Sequence, residues 1–214
     1  MADLPGQAQP RQAGAEPGDR ALLLQSSRRL DWRFLLPRPQ LGRTVYIGSP
    51  DATLLGALRA HTDLTVAAAS TALPPSSFDL AVLKDPPPES VRTGHDLVRP
   101  GGWVYAEVGG GLRRHGAALV GARPLRRWCR AFADAGLTEV AAYWHVPGHH
   151  TAAFLVPLAD RGGVRLVLGR HQGSAAGRAK ASIGRLLLTV GLVELAVRDA
   201  SVLGHRPAPD QERS

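Results

Sequence analysis

Apolar residues along this chain fall mostly in short bursts. Thr44-Val45-Tyr46-Ile47, Leu64-Thr65-Val66-Ala67-Ala68, Phe78-Asp79-Leu80-Ala81-Val82-Leu83 and Trp103-Val104-Tyr105-Ala106-Glu107-Val108 are too short for stable helices and long enough for buried strands. Ala52 to Ala60 instead puts Leu54, Leu55 and Leu58 on one helical face. A helical crossover is expected between Leu83 and Trp103, closed by the turn Arg99-Pro100-Gly101-Gly102. The pattern from Arg123 to Ala135 predicts a helix stopped by Gly136. Val140–Trp144 and Ala152–Val156 then read as an antiparallel pair joined by His145-Val146-Pro147-Gly148-His149-His150. Strands separated by helices predict an α/β fold with a mostly parallel sheet.

The flanks read differently. Residues 1–20 hold Ala, Gly, Pro and Gln with few large apolar side chains, so disorder is expected there. Residues 21–42 form a leader in which Leu30-Asp31-Trp32-Arg33-Phe34-Leu35-Leu36 is dense enough to pack across the domain before Pro37 and Pro39 end it. Beyond the domain at 43–158 lies an extension, 159–214. Within it Val164–Leu168 reads as a strand or a helical start, and 177–197 as a helix. That helix carries Ile183, Leu186, Leu187, Val190, Val193 and Val197 on one stripe, with Leu188, Leu192 and Leu195 opposite. A helix apolar nearly all round is buried, self-associates, meets a partner protein or lies on a membrane surface. The tail from His205 is rich in Pro and polar residues, and mobility is expected of it.

Composition narrows the picture. At 214 residues and 44 % apolar content, one domain with a sizeable core is expected. The formal charge is +8, yet the positive residues are arginines except for Lys84 and Lys180, and they are scattered along the chain. Richness in Arg, Ala, Gly and Pro is what a GC-rich bacterial genome produces. Arg123, Arg126, Arg127 and Arg130 fit a solvated helix face, which argues against a nucleic-acid partner. Cys129 alone cannot form an intramolecular disulfide. With no secretory leader and no run of 18 apolar residues, a cytoplasmic chain without a transmembrane span is expected.

The run Ser77-Phe78-Asp79-Leu80-Ala81-Val82-Leu83, followed by Leu97-Val98-Arg99-Pro100-Gly101-Gly102-Trp103, resembles the class I S-adenosylmethionine-dependent methyltransferases. The resemblance covers about residues 43 to 158. It implies a three-layer Rossmann-like sheet, mostly parallel with its last strand antiparallel, and S-adenosylmethionine as cofactor. It also implies a cofactor turn after the first strand, at Gly48, Ser49 and Asp51, and a ribose contact after the second, where Ser70 stands. The chain departs from the pattern at both. Only Gly48 remains of the expected glycines, Pro50 removes a donor, and the second strand ends without a carboxylate. Ser70 to Ser77 is too short for a parallel crossover, so one edge strand is expected to be missing.

Three groups could carry chemistry. Lys84-Asp85-Pro86-Pro87-Pro88 is similar to the acidic-Pro-Pro-aromatic motif of amino-group methyltransferases, with Pro88 in place of the aromatic; a stiff turn is the plainer account. His149 or His150 could act as a general base, or be surface hairpin residues without a role; no third ligand suits a metal. Glu107 either faces the strand-end crevice or caps the loop Gly109-Gly110-Gly111. Three functions follow. One is methylation of a small-molecule acceptor in bacterial biosynthesis, with Asp85 and His149 or His150 facing the acceptor. A second is a catalytically degenerate scaffold that binds a partner through helix 183–197. The weakest is an amino methyltransferase acting on nucleic acid, which lacks both the aromatic and a coherent basic patch.

Overall fold

The computed structural model describes residues 27–68, 72–109, 113–115, 118–120, 125–170, 182, 184–187, 189, 197 and 199–209. The tail at 1–20, Ser70 and most of the apolar helix 177–197 lie outside the described residues.

Each apolar burst forms a strand: β1 (Arg43–Gly48), β2 (Asp63–Ala67), β3 (Phe78–Lys84) and β4 (Val98–Gly109). Helix α1 (Ala52–His61) joins β1 to β2, and α2 (Ser90–Leu97) joins β3 to β4. A small hairpin, β5 (Arg113–His115) and β6 (Ala118–Val120), precedes α3 (Leu125–Asp134). Strands β7 (Thr138–Val146) and β8 (Phe154–Pro157) form the expected antiparallel pair. Helix α4 (Arg161–Arg170) resolves the ambiguity over Val164–Leu168, and β9 (Asp199–His205) closes the chain's sheet. Gly136, with φ of 89°, takes the left-handed conformation that ends α3.

The sheet has seven strands in the order β2-β1-β3-β4-β9-β7-β8. β2, β1, β3 and β4 run parallel, and β9 runs antiparallel to both β4 and β7. β2 stands at the edge, and no strand is found among the described residues between it and β3, as the short Ser70–Ser77 link requires.

Alternation along the central strands splits the core between two faces. Val45, Ile47, Ala81, Leu83, Val104 and Ala106 pack under α2 and α3 with Val91, Trp128 and Phe132. Tyr46, Leu80, Val82 and Tyr105 face Leu54 and Leu58 of α1 and the leader's Leu30, Trp32, Leu36 and Leu41. The result is a three-layer, Rossmann-like α/β fold. Trp32 stacks on Tyr105 with ring centroids 3.8 Å apart, so the leader belongs to the core.

The far end of the chain corrects the expectation. The sheet does not stop at residue 158: the last strand, β9, is antiparallel as expected but enters the interior between β4 and β7, and the 152–156 segment forms the outer edge. Nor is the tail loose over its described residues, 205–209. Arg206 exchanges backbone hydrogen bonds with Gly101 and Gly102, and its guanidinium donates to the carbonyls of His95 and Val98.

Candidate functional site

Strand order reverses between β1 and β3, and in such sheets the carboxyl ends of the strands around that point form the ligand crevice. The structure gathers a cluster of charged side chains there. Glu107 lies two residues after Tyr105 on β4 and so points to the same face. It is fully buried. Arg29, from the leader, pairs with both of its oxygens: Nη1 with Oε1, and Nη2 with Oε2 at 2.6 Å. Lys84 Nζ stands 3.0 Å from Oε2, and the Tyr105 hydroxyl donates to Oε1 at 3.2 Å. Arg29 Nη2 also donates to Asp51 Oδ2 at 2.9 Å. Asp51 in turn caps α1, accepting the Leu54 N–H at 3.0 Å. Two carboxylates and two cations thus compensate one another out of water.

The β7–β8 turn completes the cluster. His149 folds inward rather than sitting on the surface, and only His150 is exposed. His149 Nδ1 is 3.9 Å from Glu107 Oε1, its Nε2 is 3.9 Å from Asp199 Oδ1, and its ring centroid is 4.4 Å from that of His145. His145 Nε2 lies 2.8 Å from Ser201 Oγ on β9. Two buried nitrogens of the cluster, Arg29 Nε and His149 Nδ1, have no hydrogen-bond partner among the described residues.

Burial dominates the histidines. It holds the His145 pKa down to about 4 and that of His149 down to about 3, against the opposing pull of Glu107. Both rings are therefore neutral at pH 7. Burial pushes the Glu107 carboxyl the other way, but the hydrogen bonds and charge of Arg29, with Lys84 behind them, keep it far below the ordinary carboxylate range. The Asp51 carboxyl is also lowered, burial being outweighed by the Leu54 N–H and Arg29.

The remaining sequence candidates fall around this centre. Asp85, with φ of 46°, turns its N–H onto the Glu107 carbonyl at 3.0 Å. Its carboxylate lies 3.6 Å from Lys84 Nζ and stays 35 % exposed, so it can reach an incoming group. Gly48 and Ser49 bring the β1–α1 turn against the end of β3. A Cβ on Gly48, whose φ is 134°, would meet the Lys84 carbonyl oxygen at 2.1 Å. The Ser49 N–H donates to that same oxygen at 3.3 Å. Gly48, Ser49, Asp51, Asp85 and His149 thus converge, while Ser70 lies outside the described residues.

S-adenosylmethionine fits this crevice in part. The turn offers a close backbone approach and an acidic cap at the switch point. The chain has no Asp or Glu between Asp63 and Asp79 to take up ribose hydroxyls, and Arg29 already engages Asp51.

No protein-family model matches this chain, and no curated protein matches it. Solved structures similar to it include several S-adenosylmethionine-dependent methyltransferases. Phosphoethanolamine N-methyltransferase 2 of Haemonchus contortus, with phosphomonomethylethanolamine and S-adenosylhomocysteine, is 12 % identical at a TM-score of 0.48; the match covers 91 % of this chain and 53 % of that one. The chain therefore spans about half the length of that enzyme. Geranyl diphosphate C-methyltransferase of Streptomyces coelicolor A3(2) is 11 % identical at a TM-score of 0.48, covering 92 % and 86 % of the two chains. A possible histamine N-methyltransferase of Thermotoga maritima is 13 % identical at 0.45, covering 88 % and 94 %. These values carry no activity across.

Sequence reasoning missed Arg29, Tyr105, His145, Asp199 and Ser201. One signal was available: a carboxylate inside the apolar run Val104–Val108 requires a buried cation, and Arg28-Arg29 directly precedes the leader's apolar segment. Glu107 is bound inside the crevice by Arg29 and Lys84, while Gly110 and Gly111 of the glycine loop lie outside the described residues.

Proposed function

We propose that this chain is a cytoplasmic, S-adenosylmethionine-dependent methyltransferase-like protein that acts on a small-molecule acceptor in bacterial biosynthesis. One observation carries the reading: a buried polar cluster stands where the strand order reverses, at the edge such a sheet keeps for ligands. The backbone of Gly48 and Ser49 and the carboxylate of Asp51 would hold the cofactor, with Ser70 at the second strand. Bound there, S-adenosylmethionine supplies an electrophilic methyl group. Asp85 would accept a hydrogen bond from the acceptor's N–H or O–H. His149, neutral and with a free Nδ1, is a weak base at pH 7, so it would orient the acceptor; His150 would face it from the rim.

A second reading has an observation of its own. Arg29 engages both Asp51 and Glu107 from within, with Lys84 also on Glu107, which leaves the cofactor turn with no unpaired carboxylate. In that case the domain is a catalytically degenerate binding module, with the helix 183–197 as a route to a partner or to self-association.

Calorimetric titration with S-adenosylmethionine and S-adenosylhomocysteine separates the two. Micromolar binding, weakened by Asp51→Asn, supports the enzyme and justifies an acceptor search in which Asp85→Asn lowers turnover. No heat at large ligand excess, from protein shown to be folded, leaves the binding module.

A further inference from the structure

A cavity of about 600 Å³ lies at the amino ends of β3 and β4, the end of the sheet opposite the crevice, between those strands, the leader, β9 and the start of β7. Register sets its floor. Leu80, Trp103 and His205 are lateral neighbours on three adjacent strands, and the Trp103 and His205 rings stand 4.8 Å apart. Leu36 of the leader adds an apolar wall. Two features here have no account in packing. His205 is only 9 % exposed, and its Nδ1 is buried without a hydrogen-bond partner among the described residues. Such an atom costs stability until something meets it. Beside it, β7 slips register between Thr138 and Ala141, and Glu139 takes a φ of 50°, a costly conformation for a residue other than glycine. The Glu139 carboxylate comes to 3.5 Å from His205 Nδ1 without forming a hydrogen bond to it.

We propose that this cavity binds a free α-amino acid with an apolar side chain. Charge at the rim decides the class. Arg99 and Asp79 neutralise each other at 2.5 Å. That leaves Glu139 and Arg38, both exposed, of opposite sign, and neither paired with a Lys, Arg, Asp or Glu among the described residues. The ligand's ammonium sits between Glu139 and His205. One nitrogen about 2.9 Å from each of two acceptors 3.5 Å apart has ordinary hydrogen-bond geometry. His205 Nδ1 is such an acceptor in the tautomer that carries its proton on Nε2. The carboxylate faces Arg38, and the side chain lies on Trp103 and Leu36, the usual apolar lining with a few convergent polar groups. A ligand with a single charge leaves either Glu139 or Arg38 unmatched. The proposal is independent of the cofactor reading, since none of these residues belongs to the crevice.

The test is calorimetric titration of the full chain with L-phenylalanine and L-leucine, and with analogues of phenylalanine that lack one charge. These are 2-phenylethylamine, without the carboxylate, and 3-phenylpropanoate, without the ammonium. At least one of the two amino acids should bind, and each analogue should bind about tenfold more weakly than phenylalanine or not at all, because each loses a charge-assisted contact. Two substitutions at exposed positions cross-check the orientation. Glu139→Gln should remove the preference for phenylalanine over 3-phenylpropanoate, and Arg38→Gln its preference over 2-phenylethylamine. The comparison of ligands on unaltered protein needs no variant to fold. Absence of heat with both amino acids at large excess, from protein shown to be folded, overturns the proposal. So does an analogue that binds as tightly as phenylalanine, or binding that neither substitution changes, which would place the ligand elsewhere.

Discussion

Glu107 is buried on every side, and its two strongest partners arrive from distant parts of the chain, Arg29 from the leader and Lys84 from β3. A carboxylate so placed is stable only while its cations stay with it. Arg29→Met would strand Glu107 and Asp51, and is expected to cost about 3–5 kcal/mol; Glu107→Gln, which strands Arg29, should cost a similar amount. Arg29→Met combined with Glu107→Leu should cost less than the sum, because the fully buried carboxylate then leaves with its partner and only Asp51 remains without Arg29. Urea unfolding of the two single variants and the double one measures the coupling. Additive losses would show that the pair is not what holds the leader onto the sheet. Gly48 belongs to the same scale. Its Cβ would strike a backbone carbonyl, so any substitution there reports on folding before it reports on a ligand.

At the scale of elements, what was legible was what local pattern determines. The strands from Tyr46 to Val108 show as apolar bursts, Gly136 shows as a stop, and a link of eight residues shows that an edge strand cannot fit. β9 was not legible. It is seven residues long, buried along its length after Asp199, and stands about forty residues from its nearest sheet predecessor in the chain. With no exposed side it offers no alternation, and its place between β4 and β7 is a tertiary fact that Ala200-Ser201-Val202-Leu203 does not announce. The inward turn of His149 escaped notice for a related reason, since only β9 and Glu107 define what it faces. β9 bridges the two halves of the sheet through ladders to β4 and β7. A chain ending after Val197 should therefore lose cooperative unfolding altogether, as judged by calorimetry, because β4 and β7 are left with open interior edges. Survival of a sharp transition in that truncation would mean the two strands can pair directly.

For the molecule as a whole, the buried histidines turn local desolvation into a pH dependence of stability. His145 and His149 have folded pKa values of about 4 and about 3, below the ordinary 6.5. As pH falls through 6.5 the unfolded chain takes up protons that the folded chain refuses, so the unfolded state gains and stability drops. The contribution of each histidine is complete above that pH. It falls by up to about 1.4 kcal/mol per pH unit below it, and levels off once the folded ring itself protonates. Glu107, whose folded pKa is lowered, adds a loss of the same sign, beginning only below the carboxylate range near 4.5. The melting temperature should thus be flat from pH 7 to 8 and decline between pH 6.5 and 4.5, before any carboxylate contributes. His149→Gln, which keeps a polar group but cannot charge, should remove about half of that decline and leave the steeper loss at lower pH in place. Thermal melts of both proteins across this range check the assignment. A decline that starts only below pH 4.5, unchanged by the substitution, would place the histidines in water and the acid sensitivity entirely on the Arg29–Glu107 pair.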